Sequence, residues 1–181
     1  MQIYLRPVGI DDGSLIVKWR NSTNVLRHCF NKNKITIESN KKFFRDCIET
    51  GKYKQFIVER IDDDFGLASY PISTVYLKDF DDVNKRCELC IFTSDDNEWN
   101  VESQRLAIKY LLNKAFNDYG IHKIYTFVFS DNKNEIELML STGFRKEAVL
   151  IREAINLNGE YVDVFRMTIT SNIYKKLKDI D

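Results

Sequence analysis

A chain of 181 residues, 44% hydrophobic and 13% aromatic, carries enough apolar material for the core of one domain. Its 27 basic and 27 acidic side chains cancel and are scattered along the chain, which argues against a nucleic-acid or anionic-membrane binder. No apolar run approaches the roughly 20 residues that span a bilayer. Cys29, Cys47, Cys87 and Cys90 follow no apolar leader, so the expected setting is the reducing cytoplasm.

Ile3 to Leu5 alternates as a short strand that ends at Arg6-Pro7. Leu15, Ile16 and Trp19 then recur at helical spacing within Ser14 to Asn21. Thr36 is placed to cap a second helix running to Glu49, with Phe43, Phe44, Cys47 and Ile48 as its apolar stripe and Gly51 as its stop. The strings Gln55–Arg60, Ile72–Leu77 and Arg86–Phe92 predict a three-stranded meander, with acidic turns at Asp62 to Gly66 and Asp79 to Asp82.

From Asn100, the positions Ala107, Ile108, Leu111, Leu112, Ala115 and Phe116 form the buried face of a helix that Gly120 ends. Lys123–Phe129 has the β-branched and aromatic content of a strand, and a short helix from Asn132 to Thr142 stops at Gly143. A strand followed by a helix implies a crossover to a parallel neighbour. Two alternating runs joined at Asn158-Gly159 predict a hairpin with a type I′ turn, and the charged tail from Asn172 predicts a loose terminal helix. The order β-α-α-β-β-β-α-β-α-β-β describes one α/β (α+β) domain over residues 1–170, followed by a tail over 171–181.

The lone C-x-x-C of Cys87 and Cys90 has no second pair, and its odd offset on a strand sends the two thiols to opposite faces, so no metal site is expected. The acidic clusters read as solvated turns, though an acidic rim could attract a cationic amine. His28 follows the first helix, while His122 opens a strand; neither has a triad-like neighbour in sequence.

Four strings in order, Trp19-Arg20-Asn21, Glu88-Leu-Cys-Ile-Phe92, Asp131-Asn132 with Gly143-Phe144, and Asn158 to Val164, resemble the GNAT superfamily of acyl-CoA-dependent N-acyltransferases. The resembling branch contains ribosomal-protein N-terminal and amino-sugar acetyltransferases. The resemblance implies a mixed, mostly antiparallel sheet with flanking helices and a splay between its fourth and fifth strands. Acetyl-CoA, as co-substrate, would enter that splay and pair with the main chains of Cys90, Ile91, Phe92 and Thr93. The implied acceptor is a small-molecule or peptide amine, and Trp19, Arg20, Asn21 and His28 fall on its side.

The same resemblance assigns the cofactor pyrophosphate to a glycine-rich helix start, where bare amides meet an anion at the positive helix end. The matching residues are Trp99, Asn100, Val101, Glu102, Ser103 and Gln104, followed by Arg105. No glycine is present, Asn100 can cap the turn, and Glu102 puts a carboxylate where the anion would dock. Repulsion of a few kcal/mol at an effective dielectric near 20, on the order of a hundredfold, predicts weak or altered acyl-CoA binding, partly offset by Arg105.

Glu88 is the candidate catalytic base, because an acid on an apolar strand beside the splay has cause for a raised pKa; pairing with Lys85 or Arg86 is the alternative. Asn132 matches the family residue that contacts the pantetheine arm and equally reads as a helix cap. The usual thiolate donor, a tyrosine, corresponds to Met139, which has no proton to give. N-acetyl transfer to a primary amine is therefore the first functional expectation. A GNAT-like binding or assembly module is the second, and an acyltransferase using another donor lies between them. The aromatic-rich early helices could carry a homodimer contact.

Overall fold

The computed structural model describes residues 2–62, 68–92 and 94–178. Strand β1 (Ile3–Pro7) leads through a 3₁₀ turn (Ile10–Asp12) into α1 (Gly13–Arg20), α2 (Thr23–Arg27) and α3 (Ile37–Phe43), which closes in a π turn at Phe44–Ile48. The meander is β2 (Lys54–Asp62), β3 (Ala68–Asp81) and β4 (Arg86–Ile91). Helix α4 (Val101–Asn113) also ends in a π turn (Lys114–Asp118) and is followed by β5 (Lys123–Phe129), α5 (Lys133–Ser141), β6 (Arg145–Ile155), β7 (Tyr161–Thr170) and α6 (Ser171–Lys178).

The seven strands form one sheet in the order β1-β2-β3-β4-β5-β7-β6, antiparallel at every join except β4 with β5. One face packs under α4, α5 and α6: Leu77, Leu89 and Ile124 of the strands meet Ile108, Leu111, Leu112, Leu138 and Tyr174. The opposite face holds a smaller cluster of Ile16, Trp19 and Ile57, to which Phe92 is packed. Arg6 ties the first elements together, its guanidinium forking onto Asp12 at 2.7 and 2.8 Å while Nε donates to Glu59 at 2.8 Å.

The expected helix caps are present: the Thr36 hydroxyl accepts from Ser39 N, and the Asn100 and Asn132 side chains cap α4 and α5. Three local expectations are corrected. Asp79 and Asp81 belong to a longer β3 that is bulged between Lys78 and Asp81, so the turn is Asp82 to Lys85, three positions later than the predicted Asp79 to Asp82. The β6–β7 connection is a five-residue loop; Gly159 alone of its predicted turn pair has positive φ, and the Asn156 carboxamide organises the loop by accepting from Asn158 N and Glu160 N. The terminal helix is docked, with Tyr174 buried against Phe116 and Leu177 lying over Gly143. Of the first acidic turn, residues 63–66 fall outside the described residues.

Candidate active site

Strands β4 and β5 pair over three rungs only, Arg86 with Lys123, Cys87 with Ile124 and Glu88 with Tyr125. Beyond Glu88 they part, because β4 continues along β3 while β5 is held in seven consecutive pairings with β7. A cavity of about 230 Å³ fills the parting, lined by Glu88, Cys90 and Ile91 of β4 and the following Phe92, Tyr76 and Lys78 of β3, Thr126 and Phe127 of β5, Glu135 of α5, and the segment Val25 to Asn31. A second cavity of about 350 Å³ lies between the sheet and α1 and α3 and shares Cys29, Asn31, Tyr76 and Phe92 with the first.

The strand edges decide which main chains face the gap. Phe92 N donates to Thr74 O of β3, and antiparallel ladders alternate, so Cys90 also turns its amide toward β3 while Ile91 presents its N–H and C=O to the gap. The Phe92 carbonyl is itself taken by Trp99 Nε1 at 2.7 Å and Ser73 Oγ at 3.3 Å. Of the expected backbone quartet, Ile91 is thus positioned to pair with an incoming amide, Cys90 and Phe92 contribute side chains to the wall, and Thr93 lies outside the described residues.

Glu88 is buried, with Lys78 Nζ 3.3 Å from one carboxylate oxygen and the Cys90 thiol donating to the other at 3.1 Å. Burial lifts its carboxyl above the usual range, and Lys78 and Cys90 offset part of that rise. The alternative partners are otherwise engaged or absent: Arg86 pairs with Asp81 at 3.0 Å. Cys87 sits in the main core, on the opposite face from Cys90. Sequence reasoning missed Lys78 because a bulge sets its register against Glu88, and no local pattern announces a bulge.

Glu135 was also missed. It stands in the first turn of α5 and lines the gap, its carboxylate accepting from Asn132 Nδ2 at 2.6 Å, and desolvation pushes its pKa up to about 7. Asn132 therefore works as an N-cap whose amide is also spent on Glu135. Met139, at the donor position, is fully buried in the core.

At the start of α4, Asn100 Oδ1 accepts from both Glu102 N and Ser103 N, and Ser103 Oγ donates to the carbonyls of Glu98 and Asn100. Gln104 Nε2 donates to Trp99 O, and Trp99 is core. Val101 and Glu102 are exposed, and Arg105 reaches across to Ser141 Oγ of α5 at 3.3 Å. The exposure of Glu102 reduces the expected repulsion, since solvent and salt screen a surface charge. The two ends of acetyl-CoA would meet different surroundings: the parting of β4 and β5 and the Ile91 amide fit a pantetheine arm, whereas the Glu102 and Ser103 amides of α4 are already capped, with Arg105 a cation near that end.

On the acceptor side, Trp19 is packed in the small core, and Asn21 clamps the main chain of Ile35 with two 2.8 Å bonds. Both brace the scaffold, and neither lines either of these two cavities. Arg20 lines the second cavity, and His28 lines the first with Nε2 3.4 Å from Asp131 Oδ1. Burial lowers the His28 pKa, and Asp131 opposes this. That aspartate, 103 positions away in the chain, is the partner that local sequence context could not supply.

A seven-stranded mixed sheet that opens between a parallel fourth and fifth strand over a buried carboxylate defines an N-acyltransferase scaffold. The family model of the acetyltransferase (GNAT) domain matches residues 6–165, and the chain belongs to that family, whose members carry an acetyl group from acetyl-CoA to an amine. Among solved structures, the chain is similar to spermidine N-acetyltransferase from Vibrio cholerae in complex with CoA and spermine, with TM-score 0.87 and 24% identity over 96% of this chain and 98% of that one. Mutant forms of the spermidine/spermine N-acetyltransferase of the same organism give TM-score 0.83 and 23% identity over 98% of each chain. No curated protein matches the chain by sequence.

Proposed function

We propose that this protein transfers the acetyl group of acetyl-CoA to an amine bound beside Glu88, in the gap between β4 and β5. The observation that carries the reading is the position of Glu88: a buried carboxylate with a raised pKa, at the point where the two strands part. Acetyl-CoA, when bound, supplies a thioester acetyl carbon for attack. The Ile91 amide pairs with the pantetheine arm, and Arg105 meets the charge at the other end. Glu88 removes the proton that the attacking nitrogen must lose, directly or through a water, and its raised pKa brings its basicity closer to that task. Glu135, with a pKa of about 7 and a place on the same cavity wall, returns a proton to the departing thiolate in place of the residue that Met139 cannot be.

The four unpaired cysteines support a reducing, cytoplasmic setting. No described helix is long and apolar enough to cross a membrane. Calorimetry with acetyl-CoA, using desulfo-CoA and ADP as controls, tests the cofactor half of the reading: saturable micromolar binding is expected. Absence of binding at millimolar acetyl-CoA would leave only the scaffold in common with the family.

A further inference from the structure

Arg20 ends α1 nine-tenths buried, where a permanently charged guanidinium needs an anion or a full set of acceptors. Its Nη2 donates to Asn31 O at 2.6 Å, and its Nη1 has no hydrogen-bond partner among the described residues. Among the described residues, the cavity it lines holds no carboxylate: the other polar side chains there are hydroxyls, a thiol and carboxamides, among them Asn31, Asn40 and Gln55, set among the rings of Phe43, Tyr53, Tyr76 and Phe92. Lys32 is near enough to feel the Arg20 charge, although burial is the larger cause of its lowered pKa and Cys29 and Asp131 oppose the shift. The adjoining gap does carry carboxylates at its wall, Glu88 with its partner Lys78, and Glu135.

We infer that the acceptor is an amine that also carries an anionic group, a carboxylate or a phosphate ester, which pairs with Arg20 in the second cavity while its nitrogen lies beside Glu88. This rests on the acetyl-transfer reading above and narrows it. An anion at Arg20 would satisfy Nη1 and neutralise a buried charge, and a guanidinium binds a carboxylate or a phosphate through two parallel bonds. A polyamine would meet an uncompensated cation there with no acid to hold its far end. The spermidine enzymes of similar fold are thus similar to this chain in scaffold and differ from it in acceptor.

The test uses matched amines that differ in one charge: glycine against glycinamide, glucosamine 6-phosphate against glucosamine, with spermidine as the cationic reference. Thiol release from acetyl-CoA gives kcat/KM for each, and melting temperature with each amine alone gives binding without chemistry. The anionic member of one pair is expected to exceed its neutral partner and spermidine by about tenfold or more in kcat/KM, and which pair responds separates carboxylate from phosphate. In Arg20→Gln that ratio falls to near one, and in Arg20→Lys part of it remains; a ratio within one variant is unaffected by the fraction folded. Spermidine or a neutral amine as the better substrate, or an unchanged ratio in Arg20→Gln, would overturn the inference. If no amine is acetylated, the acetyl-transfer reading fails by itself. The binding arm then still decides: stabilisation by an anionic amine that Arg20→Gln abolishes upholds the anion site, and no stabilisation by any of them removes it.

Discussion

Lys78 Nζ stands 3.3 Å from the Glu88 carboxylate across the β3–β4 ladder, so the candidate base carries its own counter-charge at the mouth of the gap. That ammonium restrains a pKa which burial alone would raise further. Removing it in Lys78→Met should move the acidic limb of the kcat/KM profile to higher pH by about one unit, because Glu88 then holds its proton longer. A pH–rate profile of both proteins checks the direction.

Glu135 makes stability depend on pH. The folded chain keeps its carboxyl proton up to about pH 7, whereas the unfolded chain releases it near the ordinary glutamate value of 4.5. Its contribution is full below about pH 4.5 and is lost as pH rises through 7. Glu135→Gln should therefore be more stable than the parent by on the order of 2 kcal/mol at pH 8 and about equal to it at pH 4.5. Urea denaturation at the two pH values measures the difference.

Glu102 is an exposed acid at the start of α4, beside the end of the site where Arg105 reaches out. Glu102→Gln should tighten acetyl-CoA binding by roughly threefold to tenfold at low salt, and the gain should shrink as salt is added. Calorimetry at two ionic strengths reads both effects. Equal affinities at low salt would mean that the pyrophosphate lies elsewhere.

Gly143 holds α6 against the sheet. Its φ is +94°, and a Cβ there would lie 2.3 Å from Leu177 Cδ1 and 3.2 Å from Ile169 Cδ1. Gly143→Ala should cost about 2 kcal/mol, or roughly 4 to 8 °C of melting temperature, combining backbone strain with displacement of the terminal helix. Thermal denaturation followed by circular dichroism measures it.

The sheet and its helices were legible because their signals are periodic and local. Asn100, Asn132 and Thr36 announced caps, and Lys123 to Phe129 announced a strand that the structure reproduces at the same bounds. Glu88 stood out as a candidate because a carboxylate in an apolar strand is conspicuous. Lys78, Glu135 and Asp131 could not, since each reaches the site through a bulge, a helix start or a crossover that joins distant parts of the chain. Trp19 and Asn21 stood out as part of a string resembling the family, yet they pack the core and brace a loop; a matching string does not say which of its members faces the ligand.

The most direct measurement of the central claim is thiol release from acetyl-CoA in the presence and absence of an amine acceptor, for the parent protein and for Glu88→Gln. The account predicts amine-dependent release that falls by about a hundredfold or more in kcat for Glu88→Gln, with acetyl-CoA affinity retained. Release that requires no amine, or that proceeds at the parent rate in Glu88→Gln, would contradict the assignment of acetyl transfer to this carboxylate.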